Sequence, residues 1–135
     1  MRYSLLVVGI VLLPLASARA GSFDGTWSVL EVCDTTAEGA RGYTWRFDAK
    51  VTDGHFVGQY RTKGQSPSMT LEGTLQPDGV ANLAATGISG DSDHNLKFAA
   101  PQTPISYRVS AKFSGTSGTG DRMDARRCKF TFKKQ

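Results

Sequence analysis

From Tyr43 to Thr52 the chain alternates without a break. Tyr43, Trp45, Phe47, Ala49 and Val51 are apolar, and Thr44, Arg46, Asp48, Lys50 and Thr52 between them are polar or charged. In an extended strand successive side chains point to opposite faces, so this pattern builds one face that must be covered and one that meets water. A helix would scatter the same residues around its whole surface.

The pattern recurs between turn-forming Gly, Pro, Asn and Asp residues. Trp27 and Val29 mark a first strand, and Tyr43 to Thr52 is the second. Phe56, Gly58 and Tyr60 mark a third after the Asp53-Gly54 turn. Met69, Leu71, Gly73 and Leu75 mark a fourth, and Ala81, Leu83 and Ala85 a fifth after Pro77-Asp78-Gly79. Ile105, Tyr107, Val109, Ala111 and Phe113 mark a sixth, a glycine-rich seventh spans 117–123, and Cys128, Phe130 and Phe132 make the eighth. Eight short strands joined mostly by turns predict an all-β fold, an eight-stranded antiparallel up-and-down barrel, because closure removes both exposed edges.

The cysteines test that closure. In a closed meander the first and last strands are antiparallel neighbours, so the end of one lies beside the start of the other. Cys33 and Cys128 occupy those two places. A disulfide there pins the seam, and closing a loop of about 95 residues is worth about 4–5 kcal/mol in the chain-entropy treatment. A membrane barrel would turn its apolar face outward. Here the alternate face carries Arg46, Asp48, Lys50, Glu72, Arg108, Lys112, Lys129 and Lys133, which lipid would not accept.

The first twenty residues do not belong to this pattern. Arg2 precedes an apolar run from Leu5 to Leu13, Pro14 breaks it, and Ala18-Arg19-Ala20 suits a signal peptidase. The run is too short to cross a bilayer. Residues 1–20 therefore read as a signal peptide and 21–135 as one domain in an oxidising compartment, periplasmic or secreted, where a disulfide is expected. No membrane anchor remains after cleavage. Without Arg2 and Arg19, the 16 basic residues fall to 14 against 12 acidic, a formal charge of +2. So small an excess does not point to nucleic acid.

Connections in a meander alternate between its two ends. Tight turns at Asp53-Gly54, Pro77-Asp78-Gly79 and Ser114 to Gly118 fall at one end. The 33–42 loop, the 63–67 turn, the long 88–104 loop and the 124–127 turn fall at the other. Binding residues usually sit on loops held by a rigid scaffold, and barrel mouths are common ligand sites. The long-loop mouth is therefore the candidate recognition surface, with Arg41, Lys63, Arg126 and Arg127 at its rim and Tyr43, Tyr60 and Tyr107 as inward hydroxyls that need partners. Close packing predicts a filled interior. Gly58, Gly73, Ala81 and Ala85 are the inward positions where small residues could instead leave a pocket.

No catalytic constellation is found, and the residues imply no cofactor. Asp91, Asp93 and Asn95 match the opening of a calcium loop, but Leu96 replaces its essential Gly and Gln102 its bidentate Glu. Gly115, Gly118 and Gly120 precede a strand rather than the helix a phosphate loop requires. His55 and His94 lie in separate segments. The expected function is non-catalytic binding of a small ligand at the mouth. The alternative is a protein-interaction module such as a periplasmic enzyme inhibitor.

Phe23-Asp24-Gly25-Thr26-Trp27 resembles the Gly-x-Trp opening of lipocalins and of avidin- and streptavidin-like barrels. Gly58-Gln59-Tyr60 and Leu71-Glu72-Gly73 are similar to avidin-type hairpins. From that opening to Phe130-Thr131-Phe132-Lys133-Lys134-Gln135, the chain resembles a family of small exported proteobacterial proteins of unassigned function. The resemblance implies a barrel and a periplasmic or secreted address. Avidin-like proteins line their biotin site with several later tryptophans, whereas this chain has only Trp27 and Trp45, so no biotin-binding residues carry over. Bacterial metalloprotease inhibitors are also small periplasmic barrels with one disulfide, which supports the inhibitor alternative.

Overall fold

A computed structural model describes residues 22–135; the expected signal peptide, residues 1–20, lies outside the described residues. Eight strands follow in order: β1 (Gly25–Cys33), β2 (Tyr43–Thr52), β3 (His55–Tyr60), β4 (Ser68–Thr74), β5 (Val80–Ile88), β6 (Pro104–Ser114), β7 (Ser117–Met123) and β8 (Arg127–Lys134). Each pairs antiparallel with its chain neighbour, and β1 pairs with β8 to close the barrel. Cys33 and Cys128 face each other in that last register and are bonded, with an S–S distance of 2.02 Å. The expected barrel and disulfide are both present.

Side-chain parity explains the closure. Trp27, Val29, Phe47, Ala49, Val51, Phe56, Leu71, Leu83, Val109, Phe113, Phe130 and Phe132 are buried. The eight charged residues expected on the alternate face are all exposed. Apolar inside and charged outside is the reverse of a barrel built for lipid. Among the described residues no helix is long and apolar enough to cross a membrane.

The end with the tight turns is sealed by aromatic rings. Trp27 meets Phe113 edge-on at 5.2 Å, Phe113 packs on Phe132 at 4.6 Å, and Phe56 meets Phe132 edge-on at 5.6 Å. The Trp27 indole N–H donates to the Phe23 carbonyl at 2.8 Å, so the largest side chain is buried with its one polar atom satisfied. The Asp24 carboxylate accepts the backbone N–H groups of Asp53 and Gly54, which locks the β2–β3 turn against the start of β1.

The small inward residues leave no pocket beside them. Phe47 lies over Gly58 so closely that a Cβ there would fall 2.9 Å from its ring, and Leu83 covers Gly73 in the same way. Ala81 and Ala85 are buried within the same core. Large side chains on adjacent strands have taken the space that small residues vacate, as close packing requires. The interior is filled except at the opposite end.

Candidate functional site: a basic, aromatic pocket in the barrel mouth

The long connections gather at the mouth, where a pocket of about 540 Å³ opens beneath the 88–104 loop; the 33–42 loop lies beside it and contributes no lining residue. Its wall combines Tyr43 and Trp45 of β2, Arg61 and Pro67 from the β3–β4 connection, and Ile105 of β6. Arg122 of β7 and Arg126 of the β7–β8 turn complete it, and residues 89–99 form the roof. The size lies within the range typical of small-molecule sites.

The roof is a braced loop. Two single 3-10 turns, Ser92–His94 and Leu96–Phe98, flank Asn95. The Asn95 amide nitrogen donates toward the carbonyls of Gly90 at 3.0 Å and Ala99 at 2.8 Å. At the base, Ser89 and Thr103 exchange backbone and side-chain hydrogen bonds. Asn95 is thereby committed to holding the loop, and with it the last member of the calcium-like Asp91-Asp93-Asn95 pattern. Among the described residues, one grouping of potential metal ligands lies within bonding reach: Glu31 with Cys33 and Cys128. Its two sulfurs are already bonded to each other, so it offers no thiolate.

Five side chains form a ladder along one wall. The Arg61 guanidinium lies 5.6 Å from the Tyr60 ring, Tyr60 stacks on Trp45 at 4.2 Å, and Trp45 lies 4.5 Å from Tyr43. The Arg126 guanidinium lies 5.1 Å from the Tyr43 ring. The alternation of β2 places Tyr43 and Trp45 on one face, and pairing of β2 with β3 brings Tyr60 beside them. On the other side, Arg122 sits 3.8 Å from the Tyr107 ring, a close cation–π contact.

Below the pocket floor lies a buried polar pair. The Tyr107 hydroxyl donates to Glu31 Oε1 at 2.7 Å, and that oxygen also lies 3.3 Å from Cys33 Sγ. Glu31 is fully buried and its Oε2 has no hydrogen-bond partner. Burial raises its pKa from the ordinary 4.5 to about 7, against the lowering effects of the Tyr107 hydrogen bond and the charges of Arg122 and Arg126. The Tyr43 and Tyr107 hydroxyls are pushed well above the usual phenol range, first by burial and then by Glu31. Neither Glu31 nor Tyr107 lines the pocket, so this pair supports the wall from behind.

The two buried arginines of the mouth have different partners. Arg122 donates through Nε and Nη2 to Asp124, at 2.7 and 3.3 Å. Burial acts to raise the Asp124 pKa, but the hydrogen bonds from Arg122 and the Arg126 backbone N–H outweigh it and hold the carboxyl below its ordinary value. Arg126 donates through Nη1 to the Arg41 carbonyl at 3.2 Å and through Nη2 to the His94 carbonyl at 2.9 Å, tying two mouth loops to the β7–β8 turn.

The expected site residues therefore divide. Tyr43 and Arg126 line the pocket, Tyr60 stacks behind Trp45, and Tyr107 finds its hydroxyl partner in Glu31. Arg41, Lys63 and Arg127 are exposed and do not form the pocket wall. Arg41 participates through its backbone, accepting from Arg126 and donating its N–H to the Asp93 carbonyl.

Glu31 and Arg122 escape a reading that sends charges to water. Strand parity nevertheless contains the signal. Counting in twos from Trp27 reaches Glu31, and counting from Gly118 and Gly120 reaches Arg122, both on the inward face. Comparison with protein-family models, with curated proteins and with solved structures finds no match to this chain.

Proposed function

We propose that this chain is an exported, non-catalytic binding protein that takes a small ligand in the mouth of its barrel, in the periplasm or after secretion. The reading is carried by the preformed pocket of about 540 Å³, whose aromatic wall and buried arginines converge at the one end of the barrel that side chains leave unfilled. The disulfide suits an oxidising compartment. The braced roof and the Arg126 clamp support a pocket already shaped before a ligand arrives, which limits the ordering cost of binding. Native mass spectrometry of protein purified from its own host tests the reading: a bound small mass is expected, and its repeated absence refutes it.

A second reading draws on the exposed side chains at the same end. Phe98, half exposed in the roof, and Met123, 68% exposed at the end of β7, would suit a protein-interaction module such as an enzyme inhibitor. Pull-down from periplasmic extract should then capture a partner that the Phe98→Ser, Met123→Ser variant loses.

A further inference from the structure

Arg126 is only 2% exposed, yet both of its side-chain hydrogen bonds go to main-chain carbonyls and neither goes to a carboxylate. Among the described residues its guanidinium has no ion-pair partner within 4.0 Å, since the ion pairs there are His55 with Glu72 and Arg122 with Asp124. A buried cation without a counter-charge is costly, and such charges are normally paired. Arg122, 7% exposed, keeps Nη1 free after giving Nε and Nη2 to Asp124. Both arginines line the same pocket.

The charge balance points the same way. Arg61, Arg122 and Arg126 line the pocket, against Asp91 in the roof and Asp124 spent on Arg122. Glu31 is the carboxyl best placed to compensate, but neither arginine hydrogen-bonds to it, and its Oε1 is taken by Tyr107. The rest of the lining includes Trp45, Pro67, Leu96 and Ile105, an apolar surface suited to a ring-sized body.

We infer that the mouth pocket selects a small carboxylate with an apolar body, the carboxylate replacing the missing counter-charge of Arg126 and reaching the free Nη1 of Arg122, the body lying against Trp45, Leu96 and Ile105. The inference rests on the small-ligand reading above and adds the chemical class of the ligand. Guanidinium matches carboxylate geometry through paired N–H donors, and hydrogen bonds between ionised groups are stronger than neutral ones.

Trp45 supplies the readout, because the other tryptophan, Trp27, is fully buried at the opposite end. Titration with 2-naphthoate should change the fluorescence of Trp45 and show an affinity about tenfold or more above that of neutral 2-naphthamide, the scale of one charge-assisted hydrogen bond. Arg122→Gln and Arg126→Gln should each remove most of the preference for 2-naphthoate over 2-naphthamide. Arg126→Gln also loosens the mouth loops, so Arg122→Gln and the two probes on the unaltered protein carry the test without it. Equal affinities for both probes, or an undiminished preference in Arg122→Gln, would overturn the carboxylate assignment while the small-ligand reading stands. Binding of neither probe overturns it as well, and the mass carried by host-purified protein then decides whether that reading also falls.

Discussion

Replacing Glu31 by Gln should abolish a specific pH dependence of stability. The folded barrel holds the Glu31 proton more tightly than the unfolded chain does, because burial raises the pKa from 4.5 to about 7. Below about pH 4.5 both states are protonated and the stabilisation is complete. As pH rises, the unfolded chain releases its proton first, so stability declines and levels off above about pH 7. At about 1.4 kcal/mol per pH unit, that interval amounts to about 3 kcal/mol. Gln keeps an oxygen to accept from Tyr107 but carries no titrating proton, and its buried NH2 gains no partner, at a cost of about 1 kcal/mol. Urea unfolding of the oxidised proteins, followed by tryptophan fluorescence, should find Glu31→Gln slightly less stable than the parent at pH 5. At pH 8 it should be more stable, by about 2 kcal/mol. Every other titration is shared by the two proteins and cancels in the difference. Parallel stability profiles from pH 5 to 8 would refute the buried-carboxyl argument.

The disulfide closes nearly the whole domain, so Cys33→Ala with Cys128→Ala should lower stability by about 4 kcal/mol in urea unfolding, and a loss under about 1 kcal/mol would contradict the chain-entropy reasoning. Gly79 has φ +88 and lies against the Phe113 carbonyl, whereas Gly64 has φ +86 and open space around it. Thermal melts should therefore find Gly79→Ala destabilised by at least about 2 kcal/mol and Gly64→Ala by about 1, separating steric collision from backbone strain. Asn95→Ala should accelerate amide exchange across residues 90–103 with only about 1 kcal/mol of global loss, because the brace is local; unchanged exchange would show that the roof is held by other contacts.

Parity made most of the architecture readable. The alternation of Tyr43 to Val51 and its repeats predicts the inward face, and the positions of Cys33 and Cys128 in adjacent terminal strands predict the seam. What resisted was non-local. Whether Gly58 leaves a void depends on the Phe47 ring, and whether Gly73 does depends on Leu83, so register across the sheet decides where the interior is empty. Glu31 and Arg122 obey the same parity as their apolar neighbours, but their charge argues for the surface. Only the closed structure shows Tyr107 accommodating both of them, its hydroxyl on Glu31 and its ring beneath Arg122. The roles of Arg126 and Asn95 depend on main-chain carbonyls, and side-chain identity does not announce those partners.

The staple joins β1 to β8 at the rim, two residues along β1 from Glu31, while the far pole has no disulfide and is sealed by packed aromatic rings. The two poles consequently answer to different agents. Urea or cooling weakens the ring-sealed pole, whose cohesion is hydrophobic. Reductant or alkali acts on the rim, where a sulfur bridge and the hydrogen bond from Tyr107 to Glu31 keep the opening in shape. A change in acidity or in thiols is therefore felt first at the end that holds the mouth pocket.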